Sequence, residues 1–188
     1  PGGGQDPPPR PPGSKRSDLV GQQVIVDNRP GGSGSIAAET ALKAAADGHT
    51  MYLASTSFVV SPSLQKSLPY DTVKDFAPIM RVSSTPGTLV VHASLPVRNV
   101  RDLVKLAKSK PGELTFGSAG VASNSHLSGE LFKVLAGVDM IHVPYKGSAL
   151  ATNALLSGET AVGFSNAIAT LPQVRTGRLR LLAVTPAK

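Results

Sequence analysis

From Thr88 onward, short apolar runs alternate strictly with helix-like stretches, and this alternation limits the fold more than any other feature of the chain. "TLVVHAS" reads as a strand, and "NVRDLVKLAKSK" follows with Val100, Leu103, Val104 and Ala107 on one helical face and Arg101, Lys105 and Lys108 opposite. Pro111-Gly112 ends that helix and "ELTFGS" is the next strand. The helix after it gathers Leu127, Leu131, Val134 and Leu135 on one stripe. "MIHVPY" is a strand, "ALATNALLSG" a helix closed by Gly158, and "TAVGFS" a strand. "AIATLPQVRTG" and "LRLLAVT" supply a last helix and strand. Elements of this length and order build a layered α/β fold around a mixed, largely parallel sheet.

Upstream the pattern is looser. Six prolines fall within the first twelve residues, so residues 1–18 are expected to be an extended or disordered arm. "QQVIV" reads as a strand, "SIAAETALKAAA" as an Ala-rich helix and "TMYLAS" as a second strand. Residues 58–75, with Pro62 and Pro69, read as mostly irregular, and "APIMRVSS" as extended.

In parallel sheets, ligands sit outside the carboxyl ends of the strands, so the loops that follow strands carry the functional information. In "TFGSAGVASNSHLSGELFKVLAG" an apolar strand enters a helix through small, uncharged residues. Small residues let another body approach the backbone, and a helix N-terminus offers unpaired N–H groups and a positive dipole end. The loop Ser118, Ala119, Gly120, Ser123, Asn124 and Ser125 is therefore a candidate anion seat, although a simple helix cap uses the same residue types. Ser55, Thr56 and Ser57 follow "TMYLA", Tyr145, Lys146 and Gly147 follow "MIHVP", and Ser165 follows "TAVGF". Together these polar loops at equivalent strand ends point to a ligand crevice.

Other chemistries find little support. The absence of cysteine excludes thiol catalysis, disulfides and Cys-based zinc sites. The net charge of +7 favours anionic partners. However, the Lys and Arg are scattered, there is no Trp and aromatics are only 4%, so no nucleic-acid surface is expected. No two of the four histidines stand three or four apart, so no helix-borne metal site forms. His126, in the first turn after the small-residue loop, lies nearest the crevice and is read as a packing or helix-end residue. "PGGSGSIAA" contains Gly32-x-Gly34-x-x-Ala37. Asp27, Asn28, Arg29 and Pro30 separate the glycines from the preceding strand, and the next strand ends in Ser where a dinucleotide site needs an acid. No catalytic pair and no cofactor motif is visible. An α/β enzyme acting on a carboxylate or nucleotide remains the alternative to a binding protein.

Five stretches, "VIVDNRPGGSGSIAAE", "LPYDTVKDFAPI", "FGSAGVASNSHLSGELFK", "HVPYKGSALATNALLSGE" and "LPQVRTGRLRLLAVT", resemble the Bug-type periplasmic substrate-binding proteins of tripartite tricarboxylate transporters. The likeness covers about residues 20–188, and "PGGGQD" resembles the family's first Gly-rich loop. It implies a Venus flytrap of periplasmic-binding-protein type with a first lobe at 1–84, a second at 85–182 and a return toward the first at 183–188. Hinges would lie near Ser83 to Thr88 and Leu182 to Thr185. The implied protein is a periplasmic monomer, not an enzyme, that holds a small carboxylate between its lobes and delivers it to membrane subunits. Carried over, Gly2, Gly3, Gly4 and Asp6 join Ser55, Thr56 and Ser57 in the first lobe. Gly120, Ser123, Asn124 and Ser125 lie in the second, edged by Tyr145, Lys146 and Gly147. By that pattern the first lobe is incomplete and the export signal is not in the chain. "PPPRPPGSKRSD" replaces an amphipathic helix, and Ser165 stands where many members carry Asp.

Overall fold

The structure, a computed structural model, describes residues 21–29, 31–65 and 67–185. The Pro-rich arm, with Gly2, Gly3, Gly4 and Asp6, lies outside the described residues. Five strands form one sheet: β1 (Gly87–His92), β2 (Thr115–Ser118), β3 (Ile141–Pro144), β4 (Val162–Asn166) and β5 (Leu179–Val184). Their order across the sheet is β3-β2-β4-β1-β5. β2 pairs parallel with β3 and β4, whereas β1 runs antiparallel to β4 and β5. Four strands thus point one way and β1 the other, a mixed sheet with largely parallel strands.

Among the described residues six α-helices accompany it: α1 (Ser35–Leu42), α2 (Thr56–Leu64), α3 (Val100–Ser109), α4 (Asn124–Ala136), α5 (Ser148–Ser157) and α6 (Ala167–Arg175). β1 lies inside the sheet and is buried on both faces, as a strand covered by helices on each side must be. Leu89 and Val91 pack with Leu103 and Ala107 of α3 and with Phe116, Met140 and Val162. Val90, pointing the other way, packs with Leu155 of α5 and with Leu179. Helices therefore cover both faces, and each parallel βα unit brings its helix N-terminus to the carboxyl edge of the sheet.

Upstream of β1 the structure departs from the sequence pattern. Residues 22–26 and 50–55 form no ladder, and Ile25 and Met51 are exposed. Both runs have strand-like composition, but a strand exists only where a neighbour completes its hydrogen bonds. The stretch 58–75, expected to be mostly irregular, begins inside a helix over Thr56–Leu64, with Pro62 in its last turn. There the lost N–H removes one bond close to an end that was about to terminate. α1 stops at Leu42, short of the Ala-rich run. This region is held by an aromatic cluster, in which Phe58 lies 5.1 Å from Tyr52, 5.8 Å from Tyr70 and 5.0 Å from Phe76, with Ala38 of α1 buried beside them.

Three of the four stripe residues on α4 point outward, and Leu127 is half-buried. Leu131, Val134 and Leu135 are 58%, 76% and 77% exposed, whereas the helix approaches the sheet through Gly129, with Phe132 packed against the core.

Candidate functional site

The carboxyl ends of β2, β3 and β4 lie together, and three helix N-termini meet them there. α4 starts after Ser123, α5 after Gly147 and α6 after Asn166. None of the three carries an acidic residue in its first turn. The contrast is α3, which follows the antiparallel β1 and so begins at the opposite edge. It has Asn99 as its cap and Asp102 in its first turn. An acid in the first turn compensates the positive end of a helix, so three uncompensated ends at one edge leave a field that favours an anion.

The loop between β2 and α4 is held by its own small side chains. Ser118 is fully buried, and its hydroxyl accepts from the Gly120 N–H at 3.1 Å and meets His142 Nε2 at 2.6 Å. Ser125 Oγ accepts from the Ala119 N–H at 3.0 Å. Ser123 caps α4: its hydroxyl accepts from the His126 N–H and donates to the Gly120 carbonyl at 2.6 Å. The Ala122 N–H donates to Nδ1 of His126 at 3.2 Å. Two residues sit at positive φ, Gly120 at 128° and, unusually for a side chain, Ala122 at 64°.

The hydroxyls of Ser118, Ser123 and Ser125 thus fasten the loop. The backbone N–H groups of Asn124 and Ser125, in the first turn of α4, have no partner among the described residues. No helical carbonyl can reach them, so they are candidate donors to a ligand. Because Ser123 is the cap, Ser123→Ala is expected to lower stability by about 1 kcal/mol in denaturant titration. A fall in ligand affinity with unchanged stability would show that its hydroxyl contacts the ligand directly.

The neighbouring loop comes close. The Tyr145 N–H donates to the Ser118 carbonyl at 2.9 Å, and the Gly147 N–H to the Ala119 carbonyl at 3.2 Å. The Tyr145 side chain turns away from this edge. Its hydroxyl donates to Glu159 Oε1 at 2.7 Å, and its pKa is pushed up to about 12 by burial and by that carboxylate. Lys146 is exposed. Ser165 completes the edge through its carbonyl, which accepts from Thr88 Oγ1 at 3.2 Å. β1 begins and β5 ends here too: the Gly87 N–H donates to Thr185 Oγ1 at 2.8 Å, and the Thr185 N–H to the Gly87 carbonyl at 2.9 Å.

Ser55, Thr56 and Ser57 open α2, with Ser55 and Ser57 sharing a hydrogen bond of 2.5 Å. Beside them is Gly34, whose absent side chain would lie 3.5 Å from the Tyr52 hydroxyl and 3.9 Å from Ser57 Oγ. The glycine run that failed as a dinucleotide fingerprint therefore lines a second cluster of small residues. Its nearness to Ser57 depends on tertiary packing that no local pattern announces.

His142 is the residue that sequence reasoning missed. Its ring stacks on His126 at 4.1 Å and on Phe116 at 5.0 Å. Burial, reinforced by His126 and Lys133 against the opposing Glu130, holds its pKa below the usual imidazole value. The only available signal was that His142 lies on β3, whose pairing puts it opposite Phe116 of β2. Among the described residues no three His, Asp or Glu side chains gather as metal ligands.

Comparison with known proteins gives the family. Residues 13–188 match the model of the tripartite tricarboxylate transporter family receptor. The chain is 38% identical over 169 residues to protein BugT of Bordetella pertussis, covering 89% of this chain and 52% of BugT, so it spans about half the length of that relative. Among solved structures it superposes with a TM-score of 0.87 on R. palustris Rpa4515 with adipate, at 38% identity, covering 94% of this chain and 59% of that one. It also superposes on the periplasmic binding protein BugD with a TM-score of 0.85, at 29% identity and the same two coverages. These relatives are receptors and binding proteins, not enzymes, and their fold is the periplasmic-binding-protein fold. With its α/β architecture, its mixed sheet and a family match that runs almost its whole length, the chain belongs to the tripartite tricarboxylate transporter receptor family.

Proposed function

We propose that this chain forms part of an extracytoplasmic solute-binding protein that captures a small carboxylate for a tripartite tricarboxylate transporter. The observation that carries the proposal is the convergence of three acid-free helix N-termini on one sheet edge, where the Asn124 and Ser125 amides have no partner among the described residues. A carboxylate suits such a seat, because its two oxygens can accept from adjacent backbone donors while the dipole ends stabilise its charge. The adipate named with Rpa4515 is a ligand of this chemical class.

In this reading residues 1–84 and 85–182 belong to two lobes, and 183–188 lead back toward the first. The bond from the Thr185 N–H to the Gly87 carbonyl supports two crossings side by side near the candidate site, as a hinge at the mouth of a cleft would require. Ser55 to Ser57 would face the ligand from the first lobe. The site acts by binding and release, with delivery to membrane subunits from the periplasm.

The test is calorimetric titration with mono-, di- and tricarboxylates, in which at least one class should bind and be recovered unchanged. Lys146 is exposed, so Lys146→Met should weaken an anionic ligand only about two- to fivefold, with the difference disappearing as salt rises. A large loss that salt does not change would instead make Lys146 a buried direct contact. Failure of every carboxylate to bind would overturn the proposal.

A further inference from the structure

The stacked histidines lie directly behind the loop proposed to seat the anion, and they hold its two most unusual backbone positions. Nδ1 of His126 accepts the Ala122 N–H, and Ala122 is the residue at φ 64°. An imidazole nitrogen can accept only while it carries no proton. His142 meets the Ser118 hydroxyl, which in turn accepts the N–H of Gly120 at φ 128°. Phe116, fully buried, closes the stack on the other side of His142. We infer that His126 is a positioning residue whose neutral ring holds the Ser118–Ser125 loop in its ligand-receiving form, and that a proton on Nδ1 of His126 releases the loop and lowers anion affinity. The inference about affinity rests on the proposed seat, whereas the inference about the loop does not.

The surroundings favour a neutral ring at His142. β2 and β4 carry no titratable residue, and β3 carries only His142. On α4 the nearby charges are Glu130 and Lys133, which pair with each other at 3.2 Å and largely offset one another. The loop after β3 adds Tyr145, tied to Glu159, and the exposed Lys146. Two imidazolium rings at 4.1 Å would repel. Burial and His126 already hold the His142 pKa low. Because the folded state resists that proton, stability should also fall as the pH drops below the unfolded imidazole range.

The experiment is amide hydrogen exchange by NMR on this chain, corrected for intrinsic rates, between about pH 8 and about pH 5, where imidazoles change charge. The Ala122 amide should lose at least about tenfold in protection on acidification, while the amides of Val90 and Val91 keep theirs. His126→Asn retains an acceptor oxygen near the position of Nδ1 without a titrating ring, so Ala122 should stay protected throughout. His126→Leu, without an acceptor, should leave Ala122 poorly protected at every pH. A wild-type amide that keeps its protection, or a His126→Asn amide that loses it equally, overturns the inference.

A second measurement titrates adipate into the wild type and His126→Asn at both ends of the range. The ligand's own protonation is common to both proteins, so the ratio of affinities isolates the histidine. The wild type should lose about tenfold more affinity than His126→Asn on acidification. If adipate binds normally but that ratio does not change, the inference fails. If adipate binds at no pH, the proposed seat has failed with this ligand, and the exchange data still decide the role of His126.

Discussion

Gly120→Val is expected to reduce carboxylate affinity by at least about a hundredfold while the chain still unfolds cooperatively. Gly120 holds φ at 128°, a region that a β-branched residue enters only under strain of about 1–3 kcal/mol. Its added Cβ would point at the Tyr145 carbonyl, 3.4 Å away, and not into open space. Valine should therefore act by refolding the loop more than by filling the seat. A loop that moves to relieve this strain breaks the bonds from Gly120 to Ser118 and Ser123, and with them the placement of the Asn124 and Ser125 amides. The strain is confined to a surface turn, so the sheet should survive. Calorimetry with adipate and a denaturant titration make the comparison. Unchanged affinity would reduce the loop to a helix cap and place the anion elsewhere.

The second large effect is on stability. Gly129 lies where α4 crosses Phe116, and a Cβ there would fall 2.6 Å from Cδ2 and 2.8 Å from Cζ of that ring, and closer still to Cε2. Phe116 cannot retreat easily, because it is fully buried, stacked on His142 at 5.0 Å and met edge-on by Phe164 at 5.9 Å. Overpacking of this kind costs about 2–3 kcal/mol, against which alanine regains up to about 1 kcal/mol of helix propensity. Gly129→Ala should therefore lower the melting temperature by several degrees, about 2–4 °C for each net kcal/mol in a chain of this size. An equally stable variant would mean that α4 can lift from the sheet without penalty. The displaced ring would also push on His142, so the loop should loosen as stability falls.

Sequence patterns were most informative where local and tertiary signals coincide. From β1 to β5 every expected strand and helix is present, because each apolar run has a neighbour in the sheet and each helix has a cap or a left-handed glycine, such as Gly137 and Gly158. Before β1 the same signals mislead. "QQVIV" and "TMYLAS" have strand composition but no ladder among the described residues, since pairing is not a local property. Periodicity put Leu131, Val134 and Leu135 on one face of α4 but could not say whether that face is covered. Gly129, the true contact point, has no side chain to register in a pattern of apolar residues.

The candidate site was legible in outline only. Small residues after β2 marked a candidate anion seat, and the acid-free first turns could be read once the strand directions were known. What the residue types could not reveal is that the serine hydroxyls bond to one another and to two histidines, while the Asn124 and Ser125 amides have no partner among the described residues. That division depends on β3 lying beside β2, which is a matter of topology.

The antiparallel placement of β1 has a consequence for how the chain acquires its structure. β1 is the first strand of the sheet to be synthesised, yet its partners are the last two. Thr88 is bonded to Ser165, 77 residues downstream. Until β4 and β5 emerge, Leu89, Val90 and Val91 form an unpaired apolar edge with the β-branched composition that recruits other chains. The parallel β2–β3 pair can form earlier, but the core that hides β1 cannot close from the N-terminal side. Folding of this sheet should therefore be slow for its size and sensitive to concentration, and the exposed interval is when a holding chaperone has most to offer.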